Sequence, residues 1–176
     1  MPFAFFHERF PGISAKETRT MTAFSHPDLP PGDYGLFEMY CDEPGCDCRR
    51  VFFYVVEERS GDLKAVIAYG WESREFYVRW FGEDRPKIIR SLQGPSLNIG
   101  SPQSILAPAL LEMMPTILSD TAYVERIKRH YAMYRVVVEQ GGVQTRSRPL
   151  PRLTEKRPKR PKPTKVKKSR RQKKKK

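Results

Sequence analysis

Three cysteines fall within eight residues, Cys41, Cys46 and Cys48, in the stretch Tyr-Cys-Asp-Glu-Pro-Gly-Cys-Asp-Cys-Arg-Arg at positions 40 to 50, and the chain has no others. On either side lie runs rich in apolar, aromatic and β-branched residues, Tyr34 to Tyr40 and Val51 to Glu57. Their length and composition are those of neighbouring strands. The cysteines then occupy the tip of a hairpin, which restricts both the topology around them and the chemistry they can do.

In an extended chain residues i and i+2 point to the same side, so Cys46 and Cys48 can present their sulfurs together. Pro44-Gly45 supplies a turn that brings Cys41 round to face them. Three thiolates at roughly 2.3 Å from one ion, completed by a nitrogen, form the usual closed tetrahedral zinc shell. The fourth ligand is sought among His7, His26 and His130 or the nearby carboxylates Asp42, Glu43 and Asp47. His130 is favoured, because on a helix it falls in the core-facing stripe of Tyr123, Ile127 and Tyr134; His26, in the loop ahead of the first strand, is second.

Other readings of the cysteines stand beside zinc. Inert buried thiols have no reason to collect among Asp, Glu and Arg. A redox pair cycling through a disulfide is a stronger alternative, and Arg49 and Arg50 would lower thiol pKa values in either active reading. A zinc with an open position, with Glu43 or Asp47 as general base, would make a hydrolytic centre. Three thiolates neutralise the ion and weaken it as a Lewis acid, and the chain has no Ser-His-Asp order, no His-Glu-x-x-His and no phosphate loop, so an enzyme is the lesser expectation.

Charge divides the chain in two. From Arg146 to Lys176 there are 17 Lys or Arg against one acid, Glu155, whereas residues 1 to 145 hold 16 basic and 19 acidic side chains, a net charge of −3. In the basic segment Pro149, Pro151, Pro158, Pro161 and Pro163 forbid a continuous helix, and little is present to bury, so residues 141–176 read as a disordered tail. Lys156, Arg157, Lys159, Arg160, Lys162, Lys165, Lys167, Lys168, Arg170, Arg171, Lys173, Lys174, Lys175 and Lys176 form its polyanion-binding set. Point charges on a flexible chain neutralise phosphates without reading bases, so the expected partner is RNA or DNA bound with little sequence preference. A solubilising or nuclear-targeting run is the plainer reading of such a tail. A membrane is disfavoured, since the tail has no aromatic residue and no cysteine to acylate. The opening run Met1 to Phe6 stops at His7-Glu8-Arg9 with no basic segment before it, unlike a signal peptide. With an odd cysteine count, this points to a reducing compartment, cytoplasmic or, in a eukaryote, nuclear.

The rest of the pattern is α+β. Residues 1–32 show no clear period and read as a partly ordered arm. Residues 33–140 form the domain, whose first part is a three-stranded antiparallel meander, Tyr34 to Cys41, Cys48 to Glu58 and Leu63 to Tyr69. The second strand is apolar on both faces and therefore central. Ser73 caps a short aromatic helix that ends at Gly82, and Lys87 to Leu92 read as another short helix. The stretch from Gly94 to Pro102 reads as a plain connection. A helical stretch opening at Ser101-Pro102 is interrupted by Pro108 and Pro115. Asp120 caps a last helix running from Thr121 to about Val138, with Tyr123, Val124, Ile127, Tyr131 and Tyr134 on one face.

Taken together, Tyr-Cys-Asp-Glu-Pro-Gly-Cys-Asp-Cys-Arg-Arg-Val, Ala-Tyr-Gly-Trp-Glu-Ser and Tyr-Val-Glu-Arg-Ile-Lys-Arg-His-Tyr resemble an uncharacterised small domain of prokaryotic proteins over about residues 28 to 135. The resemblance implies a shared fold and a shared metal site, and brings no activity. Cys46-Asp47-Cys48 is also similar to the start of the zinc-binding SEC-C motif, but no Gly-Ser follows and no later Cys-Cys or Cys-His pair exists. The expectation is a small module holding Zn2+ through Cys41, Cys46, Cys48 and His130, with a basic tail for nucleic acid.

Overall fold

The computed structural model describes residues 3–141. The basic residues from Lys156 onwards, assigned above to nucleic acid, lie outside the described residues. Among the described residues the chain forms one antiparallel sheet of six strands and six helices. The strands are β1 (Phe3–Phe5), β2 (Arg19–Ala23), β3 (Gly32–Cys41), β4 (Arg50–Glu57), β5 (Leu63–Gly70) and β6 (Ser96–Leu97). The helices are α1 (Phe6–Arg9), α2 (Pro11–Glu17), α3 (Arg74–Phe81), α4 (Pro86–Gln93), α5 (Ala107–Leu118) and α6 (Thr121–Glu139).

The meander β3-β4-β5 is present, with Phe37 opposite Tyr54 and Phe53 opposite Ile67. The sheet is nevertheless twice the expected three strands. The first 32 residues, read as an arm, add two of the extra ones. Both lie along the outer edge of β3: β2 pairs with its first half, Met21 opposite Tyr34, and β1 with its second half, Phe3 opposite Cys41. A ten-residue β3 is long enough to carry both, and without them its edge would offer unpaired backbone groups. On the far side, β6 pairs with β5 through Ile67 and Leu97. Beyond it the Gln103 side chain continues the edge, accepting from the Val66 amide and donating to the Val66 carbonyl.

Alternation sorts the strands into two faces. Tyr34, Leu36 and Tyr40 of β3, Val51, Phe53 and Val55 of β4, and Ala65 and Ile67 of β5 form one core with Leu110 and Met114 of α5 and Tyr123, Ile127 and Tyr134 of α6. Phe52, Val66 and Ala68 centre a smaller cluster on the other face, with Phe3, Met39 and Tyr54 around it. The helix signals explain most of the boundaries. The Ser73 hydroxyl accepts from the Phe76 amide and Gly82 closes α3 at φ 85°, while the Asp120 carboxylate accepts from the Tyr123 amide to open α6. Pro108 does not interrupt a helix but stands in the first turn of α5, where its missing N–H costs no helical bond. The aromatic helix α3 packs Tyr77 against Ile89 and Leu92 of α4, at the end of β5. Gly70 permits this: a Cβ there would meet the Tyr77 hydroxyl at 2.2 Å.

Candidate metal centre

The hairpin between β3 and β4 carries the cysteines where the sequence places them. Cys41 is the last residue of β3, and β4 resumes at Arg50. Between them Glu43-Pro44-Gly45-Cys46 is a tight turn in which the Cys46 amide donates to the Glu43 carbonyl at 3.2 Å. Proline at its second position and Gly45 at φ 73° are what a type II turn requires. Arg49 is the single non-glycine residue with positive φ among the described residues, at 47°, a conformation that costs roughly 1 to 2 kcal/mol for an L-residue. Its surroundings hold it there. The Arg49 carbonyl accepts from the Tyr77 hydroxyl at 2.9 Å, and its guanidinium grips Asp47 and Glu72 and lies over the Phe76 ring.

The result is a compact trithiol. The three sulfurs lie within 4.8 Å of one another, and a tetrahedral shell with bonds of about 2.3 Å needs sulfurs about 3.8 Å apart, so small rotamer changes close the gap. Cys41 and Cys48 are buried and Cys46 is half-buried. Backbone amides support each sulfur at the same spacing: Glu43 N–H donates to Cys41, Cys48 N–H to Cys46 and Arg50 N–H to Cys48. Hydrogen bonds to the charged form favour it. Hydrogen bonding from Cys48, with the Glu43 amide, Cys46 and the Arg135 charge behind it, pulls the Cys41 thiol down to about 6 against the opposing effect of burial. The same bond to Cys41, with burial, pushes Cys48 up, and burial with the Cys41 bond pushes Cys46 up. Cys41 is thereby the most readily deprotonated of the three thiols.

Helix α6 holds the loop in place with residues spaced four apart, which share one face. The Tyr131 hydroxyl lies 3.4 Å from the Arg49 amide and from Asp47. Arg135 donates to the carbonyls of Cys41 and Glu43 at 3.1 and 3.0 Å. Glu139, paired with Arg135, accepts from the Gly45 amide. Only Tyr131 of these three was on the core stripe read from the sequence; the i, i+4, i+8 run of polar residues down that face was the available signal.

The structure does not bring His130 to the cysteines. This histidine is buried at 1% exposure, and both ring nitrogens are engaged, Nδ1 with Glu38 at 2.7 Å and Nε2 with Glu17 at 3.0 Å. Its ring stacks on Phe6, and the Tyr40 hydroxyl donates to the same Glu38 oxygen. The helix face was read correctly, but on it His130 meets the middle of β3, where Glu38 needs a buried partner. His26 is not brought to the cysteines either. It lies in the loop between β2 and β3, at the end of β3 away from Cys41, and accepts from the Asp28 amide. Asp42 is taken by Arg9 at 2.5 Å and by Tyr134, and Asp47 by Arg49. Three cysteines close together can hold a metal ion, and among the described residues no His, Asp or Glu joins their group.

No family model matches the chain, and neither does any curated protein or solved structure. The likeness drawn from the cysteine stretch, Ala68 to Ser73 and Tyr123 to Tyr131 therefore rests on those residues alone. No helix among the described residues is long and apolar enough to cross a membrane.

Proposed function

We propose that the chain is a small zinc-binding module whose basic C-terminal segment binds nucleic acid without sequence preference. The convergence of the three cysteine sulfurs within 4.8 Å on a loop pinned by backbone amides and by α6 is the observation that supports the metal reading. Soft thiolates select zinc over the harder divalent ions. The nucleic-acid reading is supported by composition, 17 basic residues in the last 31 beside a domain of net charge −3. A thiol redox role is the second reading, favoured by the lowered pKa of the Cys41 thiol beside two further thiols.

Metal stoichiometry separates the two. Native mass spectrometry of the full chain, with elemental analysis, is expected to show one zinc per chain, lost in Cys46→Ser, and the thiols should resist alkylation until a chelator is added. Metal-free protein whose three thiols react at once would remove the metal reading.

A further inference from the structure

The donor set around the trithiol carries a further consequence, which rests on the metal reading above. A metal held here needs a fourth donor. Histidines and the nearby carboxylates are the candidates in the sequence, and the fold commits most of them elsewhere. His130 lies between two carboxylates, His26 is at the far end of β3, Asp42 pairs with Arg9 and Asp47 with Arg49. Glu43 is exposed on the turn, its carbonyl held by Arg135. Residues 142 to 176 contain no cysteine, histidine or aspartate and a single glutamate, Glu155.

The cluster is also open on one side. Cys41 and Cys48 are buried against the sheet end, while Cys46 is half-buried with Glu43, Pro44, Gly45 and Asp47 exposed around it. An ion held by the three sulfurs would therefore turn its remaining position toward solvent through the Cys46 side. Charge decides what fits there. Three thiolates on a divalent ion leave one negative charge. The Arg50 guanidinium, beside Cys48, has no carboxylate within ion-pair distance among the described residues; one nitrogen donates to the Ser91 carbonyl and its buried Nε has no partner. Arg135, the other cation acting on the cluster, is paired with Glu139, so the Arg50 cation matches the one net negative charge, and a neutral fourth donor balances the site where a further anion does not.

We infer that the metal's fourth position is exchangeable, filled by water in the free protein and open to a small neutral nitrogen donor from solution. That is the coordination of a ligand-accepting centre and not of a closed structural one.

The test uses the full chain loaded with Co2+ in place of zinc, since its visible d–d bands report the fourth donor and its charge-transfer band reports the thiolates. Imidazole titrated in should shift the d–d bands saturably while the thiolate charge-transfer intensity is unchanged, and Glu43→Gln should respond in the same way. Bound cobalt whose bands ignore imidazole overturns this inference alone, because the chain then closes its own shell. A response that appears only in Glu43→Gln overturns it too and names Glu43 as the ligand. Failure to bind cobalt through the cysteines removes the metal reading and this inference with it.

Discussion

Glu38 carries a carboxyl group in the middle of the sheet, and the residues around it show how one buried polar group organises its neighbours. Its side chain is 4% exposed and meets His130 at 2.7 Å and the Tyr40 hydroxyl at 2.7 Å. His130 passes the contact on to Glu17, which also pairs with Arg129. Strand β3, helix α6 and the end of α2 are thereby joined through one imidazole. Removing one partner leaves a buried polar group without a hydrogen bond, which costs about 1 to 3 kcal/mol. His130→Ala should lower the denaturation midpoint accordingly and leave metal stoichiometry unchanged; His130→Gln, which keeps a donor, should lose less and serves if the alanine variant does not fold. Metal loss in a folded His130→Gln protein would return the histidine to the centre. At this scale the sequence showed that His130 faces the core, because periodicity fixes a face. It could not show which buried group waits there, because Glu38 sits in an otherwise apolar strand and nothing local marks it as His130's partner.

At the scale of elements, α6 does two jobs with two faces. Tyr123, Ile127 and Tyr134 pack on the sheet, and Tyr131, Arg135 and Glu139 hold the cysteine loop by its backbone. Groups that orient metal ligands without touching the metal typically change affinity by about 10 to 100-fold when removed. Arg135→Met keeps the aliphatic stem and loses the bonds to the Cys41 and Glu43 carbonyls. It should weaken zinc retention against a chelator by about tenfold at the low end of that range, with little change in the thermal midpoint of the metal-free protein. An unchanged chelator competition would make the clamp incidental. The hairpin, the central position of β4 and the caps of α3 and α6 were legible because each is a local pattern: an unbroken apolar run from Val51 to Val56, Ser73 three residues before Phe76, Asp120 three before Tyr123. Strands β1 and β2 were not, since three and five residues carry too little alternation to stand out. Their pairing with β3 closes across up to 38 residues, from Phe3 to Cys41, and no window of sequence contains both partners. The same holds for two-residue β6, hidden inside a loop of glycine, proline and serine.

For the whole molecule the division of charge sets the remaining expectation. The folded part is slightly acidic, and seven of its twelve arginines, Arg9, Arg19, Arg49, Arg74, Arg85, Arg129 and Arg135, pair with carboxylates. Such a surface is a poor phosphate binder, so binding should reside in the segment after Gly141. If six to ten of its basic side chains engage phosphates together, affinity for double-stranded DNA should fall by roughly a thousandfold or more between about 50 and 200 mM salt. Deleting residues 142–176 should abolish the binding and leave metal content unchanged, because the cysteines, Arg135 and Glu139 all lie before the cut. Scrambling the segment at constant composition should change little, since contacts to phosphate carry no sequence register. These are filter-binding or fluorescence-anisotropy measurements on three proteins over a salt series. A truncated chain that binds with an undiminished salt slope would overturn the electrostatic assignment and move the search to the folded surface, beginning with Arg79 and Arg90, which have no ion pair among the described residues.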